Sequence, residues 1–288
     1  VDEGRFYLPD AEEGKREMIV TTPIDARPTQ CLRVPGPSYI TLLAAVFTAG
    51  IFIFPTYKLW WPMAISAALA LGTILVWLWT GTAAIPEKEE KNVGLGLTLP
   101  LYVSGSASVG WWAMFITMLG IMSAFVSLIF AYFFYWTIHE DFPPEPSPGP
   151  GALWPAVGAG LLLGAWALTS LARRWNRQDR AAAFYTGLLS ASGLAVAGAA
   201  ALLAGPWVTG LDPASHVYPA IVWLLVIWTV LHVALGLVMQ LYCVARRIAG
   251  RMTARHDIDI ANVALFWHFV LLTAAVTVLV IAGFPLVA

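Results

Sequence analysis

An all-α membrane protein of seven transmembrane helices in a two-plus-five arrangement, N-terminus cytoplasmic and C-terminus outside, is the fold class this sequence predicts. Three observations predict it: an apolar composition, seven long apolar runs, and a strict alternation of the gaps that carry positive charge. Of the 288 residues 59% are hydrophobic and 11% charged, with a mean hydropathy of +0.74. A soluble domain has far more charge to place between its apolar surface and water. The runs are Ser38–Phe54, Trp60–Trp79, Trp111–Trp136, Ala152–Ala172, Phe184–Gly205, Val217–Val244 and Asn262–Val287. Each crosses a hydrocarbon core of roughly 30 Å at about 1.5 Å per residue, the first only just. In lipid the backbone must satisfy its own hydrogen bonds, so runs of this length are read as helices.

Fifteen of the sixteen lysines and arginines fall in alternate gaps: Arg5, Lys15, Arg16, Arg27 and Arg33 before the first run, Lys88 and Lys91 after the second, Arg173, Arg174, Arg177 and Arg180 after the fourth, and Arg246, Arg247, Arg251 and Arg255 after the sixth. Lys58 is the exception. Positive residues stay on the cytoplasmic side, which sets the orientation. Trp60, Trp61, Trp79, Trp111, Trp112, Trp136 and Trp154 stand at run ends, where an amphipathic ring prefers the headgroup layer. Cys31 and Cys243 fall near the inner face, where thiols stay reduced, and neither a disulfide nor a metal pair is expected. Nothing in the charge pattern suggests nucleic acid.

The predicted organisation follows the runs. Residues 1–37 carry twelve charges and Pro9, Pro23, Pro28, Pro35 and Pro37, and are read as an irregular cytoplasmic lead-in without a cleavable signal. Residues 38–79 form a two-helix bundle, 80–110 a cytoplasmic connecting loop whose Glu87–Lys91 charge run is solvated, and 111–288 a five-helix bundle. The outer loop after the third run, with Pro143, Pro144, Pro146, Pro148 and Pro150, is an extended connector. Pro62, Pro155 and Pro219 fall in first turns, which leaves the spans unbroken.

Within the spans the only ionisable residues are His232 and His268, and no Asp, Glu, Lys or Arg accompanies them. Counted from the cytoplasmic ends they differ in depth by roughly 9 Å, a poor placement for one haem iron. Two imidazoles without carboxylate or thiol also make an incomplete metal site, so each is read as a neutral histidine hydrogen-bonded across helices. Gly160 and Gly164 form a GxxxG, and Gly193, Ala197 and Ala201 a small-residue stripe, both expected at close helix contacts. Arg173, Arg174, Arg246 and Arg247 are candidate contacts for anionic lipid headgroups, with topology alone as the competing reading. His139, Glu140 and Asp141 are read as a solvated helix end.

The sixth run contains His232-Val233-x-x-Gly236 and the seventh Phe266-Trp267-His268-Phe269-Val270. The third opens with Trp111-Trp112-Ala113-Met114 and closes with Ala131-Tyr132-Phe133-Phe134-Tyr135-Trp136, followed by Pro143-Pro144. This resembles subunit III of haem–copper cytochrome c oxidases over about residues 38–288, most specifically in the last 60. The resemblance implies an accessory, non-redox subunit in a bacterial cytoplasmic membrane, with subunits I and II as partners. It implies phospholipid between the bundles, haem and copper held by the catalytic partner, and no catalytic site here. His232, Gly236, Trp267 and His268 match family positions, with structural duties. The lead-in is similar to the joint of chains that fuse subunit I to subunit III, which would account for a start without Met. Ile121 and Leu271 stand where the family usually has acids, so a part in proton uptake does not carry over. The alternatives are a stand-alone haem-binding membrane cytochrome using His232 and His268, and a small-solute transporter.

Overall fold

The computed structural model describes residues 16–34, 38–81, 85, 88–145 and 149–286. Pro9, Pro35, Pro37, Pro146, Pro148, Glu87, Arg5 and Lys15 lie outside them. The chain divides into two compact units, Val1–Val103 and Ser104–Ala288.

The first unit contains α1 (Ile40–Thr56) and α2 (Trp60–Thr80). They are joined by a tight reversal in which Leu59 N–H donates to Phe54 O at 3.0 Å and Lys58 N–H to Pro55 O at 2.9 Å. Lys58 takes the left-handed conformation (φ 59°) that ends α1. The two helices meet along small residues, Ala44 and Gly50 on one and Ser66 and Ala70 on the other. A Cβ on Gly50 would stand 2.5 Å from Ser66 Oγ. Most of their large apolar side chains, among them Phe52, Ile65, Leu69 and Val76, are exposed. Water would not tolerate such a surface, but acyl chains match it.

The lead-in is not an irregular linker. β1 (Arg16–Thr21) and β2 (Pro28–Val34) form an antiparallel hairpin, with Glu17 opposite Arg33 and Ile19 opposite Cys31. The prolines fit because Pro23 lies in the turn and Pro28 opens a strand, where a missing N–H costs little. Thr22 closes the turn, its hydroxyl donating to Asp25 at 2.5 Å and accepting from Arg27 N–H at 3.0 Å. The connecting stretch also folds, into β3 (Glu90–Asn92) and β4 (Thr98–Pro100) around a Gly94-Leu95-Gly96 tip, and β4 lies beside β2. Lys91 is therefore no part of a solvated charge run. It is buried against Glu17, whose side chain is 1% exposed and also accepts from Arg33 Nε at 3.2 Å. Cys31 and Leu99 are buried in the same small core.

The second unit holds α3 (Val109–Ile138), α4 (Leu153–Arg177), α5 (Ala181–Val208), α6 (Val217–Ile248) and α7 (Ile258–Val278), the last continuing into a π-helical turn at Leu279–Gly283. Among the described residues six helices are long and apolar enough to cross a membrane. The remaining one, α1, has 17 residues. The chain is thus a multi-pass helical membrane protein. α4 to α7 run past the apolar windows by up to a turn or more, because backbone hydrogen bonding continues past the hydrocarbon boundary. α3 buries Met118, Phe125 and Tyr132, one residue in seven, whereas α7 packs against α3, α4 and α6 and buries residues on most of its circumference. Pro62, Pro155 and Pro219 occupy the first turns of α2, α4 and α6 as expected, and Pro206 sits in the last turn of α5.

The small-residue contacts differ from the predicted ones. Nothing stands within 4 Å of a Cβ placed on Gly160 or Gly193. The close crossing of α4 and α5 is at Gly158 and Gly198, where a Cβ on either would lie 3.1–3.2 Å from the other's carbonyl oxygen. Gly187, under the Trp175 ring, makes a second such contact. The face of α5 that packs on α4 passes through Gly198, one residue or roughly 100° around the helix from Ala197 of the Gly193 stripe, while Gly164 of the predicted GxxxG does meet α5, a Cβ there standing 3.1 Å from Leu194 Cδ1.

Candidate functional site

The residues singled out by the sequence fall at two levels of the second unit. The first is the contact between α6 and α7. Gly236 on α6 leaves room for the fully buried Trp267 ring of α7, whose Cε2 and Nε1 would be 3.2 Å from a Cβ at position 236. The two motifs therefore form one packed contact. His232, one turn before Gly236, lies by the same seam, its ring 5.6 Å from Phe269 and 6.4 Å from Phe266.

His268 is not brought to His232. It is exposed on another side of α7, its ring edge-on to Trp166 of α4 at 5.4 Å. Neither histidine bonds across helices, which corrects that expectation. His232 Nδ1 is 2.7 Å from Trp228 O and His268 Nδ1 is 2.5 Å from Ala264 O, each the carbonyl four residues earlier on its own helix. A ring nitrogen facing a carbonyl must donate, so each neutral ring carries its proton on Nδ1 and leaves Nε2 open. Two rings on different helix seams are poorly placed to hold one iron between them. No group of three or more His, Cys, Asp or Glu that could hold a metal occurs among the described residues.

The second level is the arginine-rich end. Arg247 donates to Asn176 Oδ1 and to Asp179 at 2.7 Å, lies over the Phe184 ring at 5.4 Å, and is 7% exposed. Arg246 pairs with Asp259 at 3.3 Å and donates to Arg251 O at 3.0 Å. Both guanidinia are thus engaged by the protein's own groups, and Arg174 is the exposed member of the predicted headgroup set. Arg173 is half-buried, with Nε reaching no partner. Arg177 donates to Asp257 at 2.6 Å, and Asp257 also accepts from Ser104. Asn176 reaches across to Thr253 O at 3.0 Å. The arginines that mark topology in the sequence also staple the α4–α5 and α6–α7 connections together. Ile121 and Leu271 are both partly buried.

Between these levels lies a polar cluster of uncharged side chains. Gln240 of α6, fully buried, donates from Nε2 to Thr169 Oγ1 of α4 at 2.8 Å and accepts from Ser192 Oγ of α5 at 3.0 Å. On the other side of the Gly236–Trp267 contact, away from the arginines, Thr229 of α6 and Thr277 of α7 pair at 3.1 Å. An amide in an apolar run was the available signal, but its partners are 71 and 48 residues away. Gln240→Leu removes both inter-helix bonds, while Thr169 and Ser192 keep bonds to their own helices at 2.7 and 3.0 Å. The expected loss is about 0.6–2 kcal/mol, read as a lowered unfolding midpoint in mild detergent. An unchanged midpoint would assign the cluster no part in stability.

No protein-family model matches the chain, and no curated protein matches it.

Proposed function

We propose that this chain is the accessory, non-redox subunit III, or the subunit III portion, of a proton-pumping haem–copper cytochrome c oxidase in a bacterial cytoplasmic membrane. It serves aerobic respiration by stabilising the catalytic subunit and binding phospholipid. The observation that carries the reading is the seating of Trp267 against Gly236. The two motifs with the most specific resemblance, 31 positions apart in sequence, meet in the fold as one contact. That contact has a packing role, in keeping with a subunit whose work is to hold a neighbour. Haem and copper belong, in this reading, to the catalytic partner, and subunits I and II are the proteins it meets. The arginine-stapled end of the second unit is, in this reading, its cytoplasmic end.

Two features of the structure support a supporting role over transport or electron transfer by the chain itself. His232 and His268 lie on separate seams, and the helices cross without a break in mid-span. The test is purification through a tag on this chain from native membranes in mild detergent. The expected result is co-purification of a haem–copper catalytic subunit in near-equal amount. Recovery of the chain without a haem protein would overturn the reading. So would a stoichiometric haem spectrum of the chain alone that His232→Ala abolishes.

A further inference from the structure

We infer that His216 is a protonation-sensitive latch on the first turn of α6, at the end of the second unit opposite the arginines. The residue occupies the N-cap in extended conformation (φ −157°, ψ 159°), and its Nδ1 accepts from Tyr218 N–H at 3.1 Å. The first N–H groups of a helix lack partners within it, and Ser, Thr, Asp or Asn usually supplies one. Those side chains accept throughout the neutral range. An imidazole accepts at Nδ1 only while neutral with its proton on Nε2. A second proton places an N–H on Nδ1, donor against donor, and sets a cation at the positive end of the helix dipole.

The surroundings make the latch consequential. The His139 ring at the end of α3 lies 6.2 Å from the His216 ring, so protonation of both adds like-charge repulsion. Among the described residues, ionisable groups on the segments around this corner are Glu140, Asp141 and Glu145 after His139, Asp212 in the α5–α6 connection, and the phenols of Tyr132, Tyr135 and Tyr218. Asp212 is already engaged, its Oδ1 accepting from Ala214 N–H at 2.9 Å, and Tyr135 stacks on His139 at 5.4 Å. The Tyr218 side chain, one residue into α6, is fully buried against Phe142 at 5.1 Å and Tyr132 at 6.4 Å. Its hydroxyl has no hydrogen-bond partner among the described residues, so among them packing holds this aromatic plug between α3 and α6. Release of the cap frees the turn that carries the plug.

Amide exchange of residues 217–222 tests this in the full chain in lipid nanodiscs at pH 8 and pH 5, corrected for the intrinsic chemical rate. Wild-type protection should drop about five-fold at pH 5, the population change that an N-cap of ordinary strength controls. His216→Asn, which accepts at either pH, should stay protected at both, and His216→Ala unprotected at both. Wild-type protection that does not change with pH would overturn the latch. So would a pH step that survives in His216→Asn, or one that His139→Gln removes while His216 remains.

Discussion

Glu17→Ala should unfold the extramembrane part of the first unit, at a cost of about 3–5 kcal/mol, because it strands Lys91 without its counter-charge. The Glu17 side chain is 1% exposed and that of Lys91 8%, so water cannot replace the lost partner. Arg33, at 31% exposure, can turn to solvent and suffers less. Cys31 provides the readout. Burial pushes its thiol above the ordinary thiol range, the Glu17 carboxylate adds to that, and Lys91 and Arg33 oppose it. Since the thiolate is the nucleophile, wild-type Cys31 should react slowly with a maleimide at pH 7.5. In Glu17→Ala its labelling should accelerate about a hundred-fold or more. The folded state holds the thiol proton more tightly than the unfolded chain. Its contribution to stability is therefore complete below the ordinary thiol range and lost as pH rises through and above it. The Glu17→Met/Lys91→Met pair, which removes both buried charges, should restore much of the protection. Wild-type labelling rates in Glu17→Ala would show that the ion pair does not hold the hairpins together.

Gly158→Ala should destabilise the second unit by about 1–3 kcal/mol, and Gly158→Val by more, while Gly160→Ala stays within about 0.5 kcal/mol of the parent. A Cβ at 158 meets Leu202 Cγ at 2.8 Å and the Gly198 carbonyl at 3.1 Å. The leucine can shift, but the carbonyl belongs to the α5 backbone, so the helices must part. A Cβ at 160 meets nothing within 4 Å. Unfolding midpoints in mild detergent compare the two substitutions directly, and equal effects would refute the assignment of the α4–α5 crossing to Gly158 and Gly198.

Those two glycines show where reading the chain succeeds and where it stops. The GxxxG at Gly160 and Gly164 satisfies the spacing rule for close helix approach, and Gly164 does meet Leu194 of α5, yet the backbone-to-backbone crossing is made by Gly158, outside the motif, and Gly160 meets nothing. Small residues are frequent enough in α4 and α5 to draw several stripes, and only the partner helix selects one. Gly236 and Trp267 are legible as motif positions through the family resemblance, although their mutual contact is not. Gln240, Thr169 and Ser192 escaped notice because each is unremarkable where it stands and significant only beside the other two. The β1–β2 hairpin is hidden for a different reason: proline disfavours regular structure in general, but Pro23 falls in the turn and Pro28 at a strand start, where its missing N–H costs little.

Sequence alone determined the solvent of this protein, the existence of its long apolar helices, and the alternation of charge between their ends. These follow from local quantities, since the hydrocarbon core demands internally bonded backbone over a set length and excludes charge wherever it lies in the chain. The tertiary structure decided which face of each helix is inside, which carbonyls the two histidines bond, and how Glu17 finds Lys91 across 74 residues. Those choices depend on shape and charge complementarity between segments far apart in sequence, and no local pattern encodes the identity of a distant neighbour.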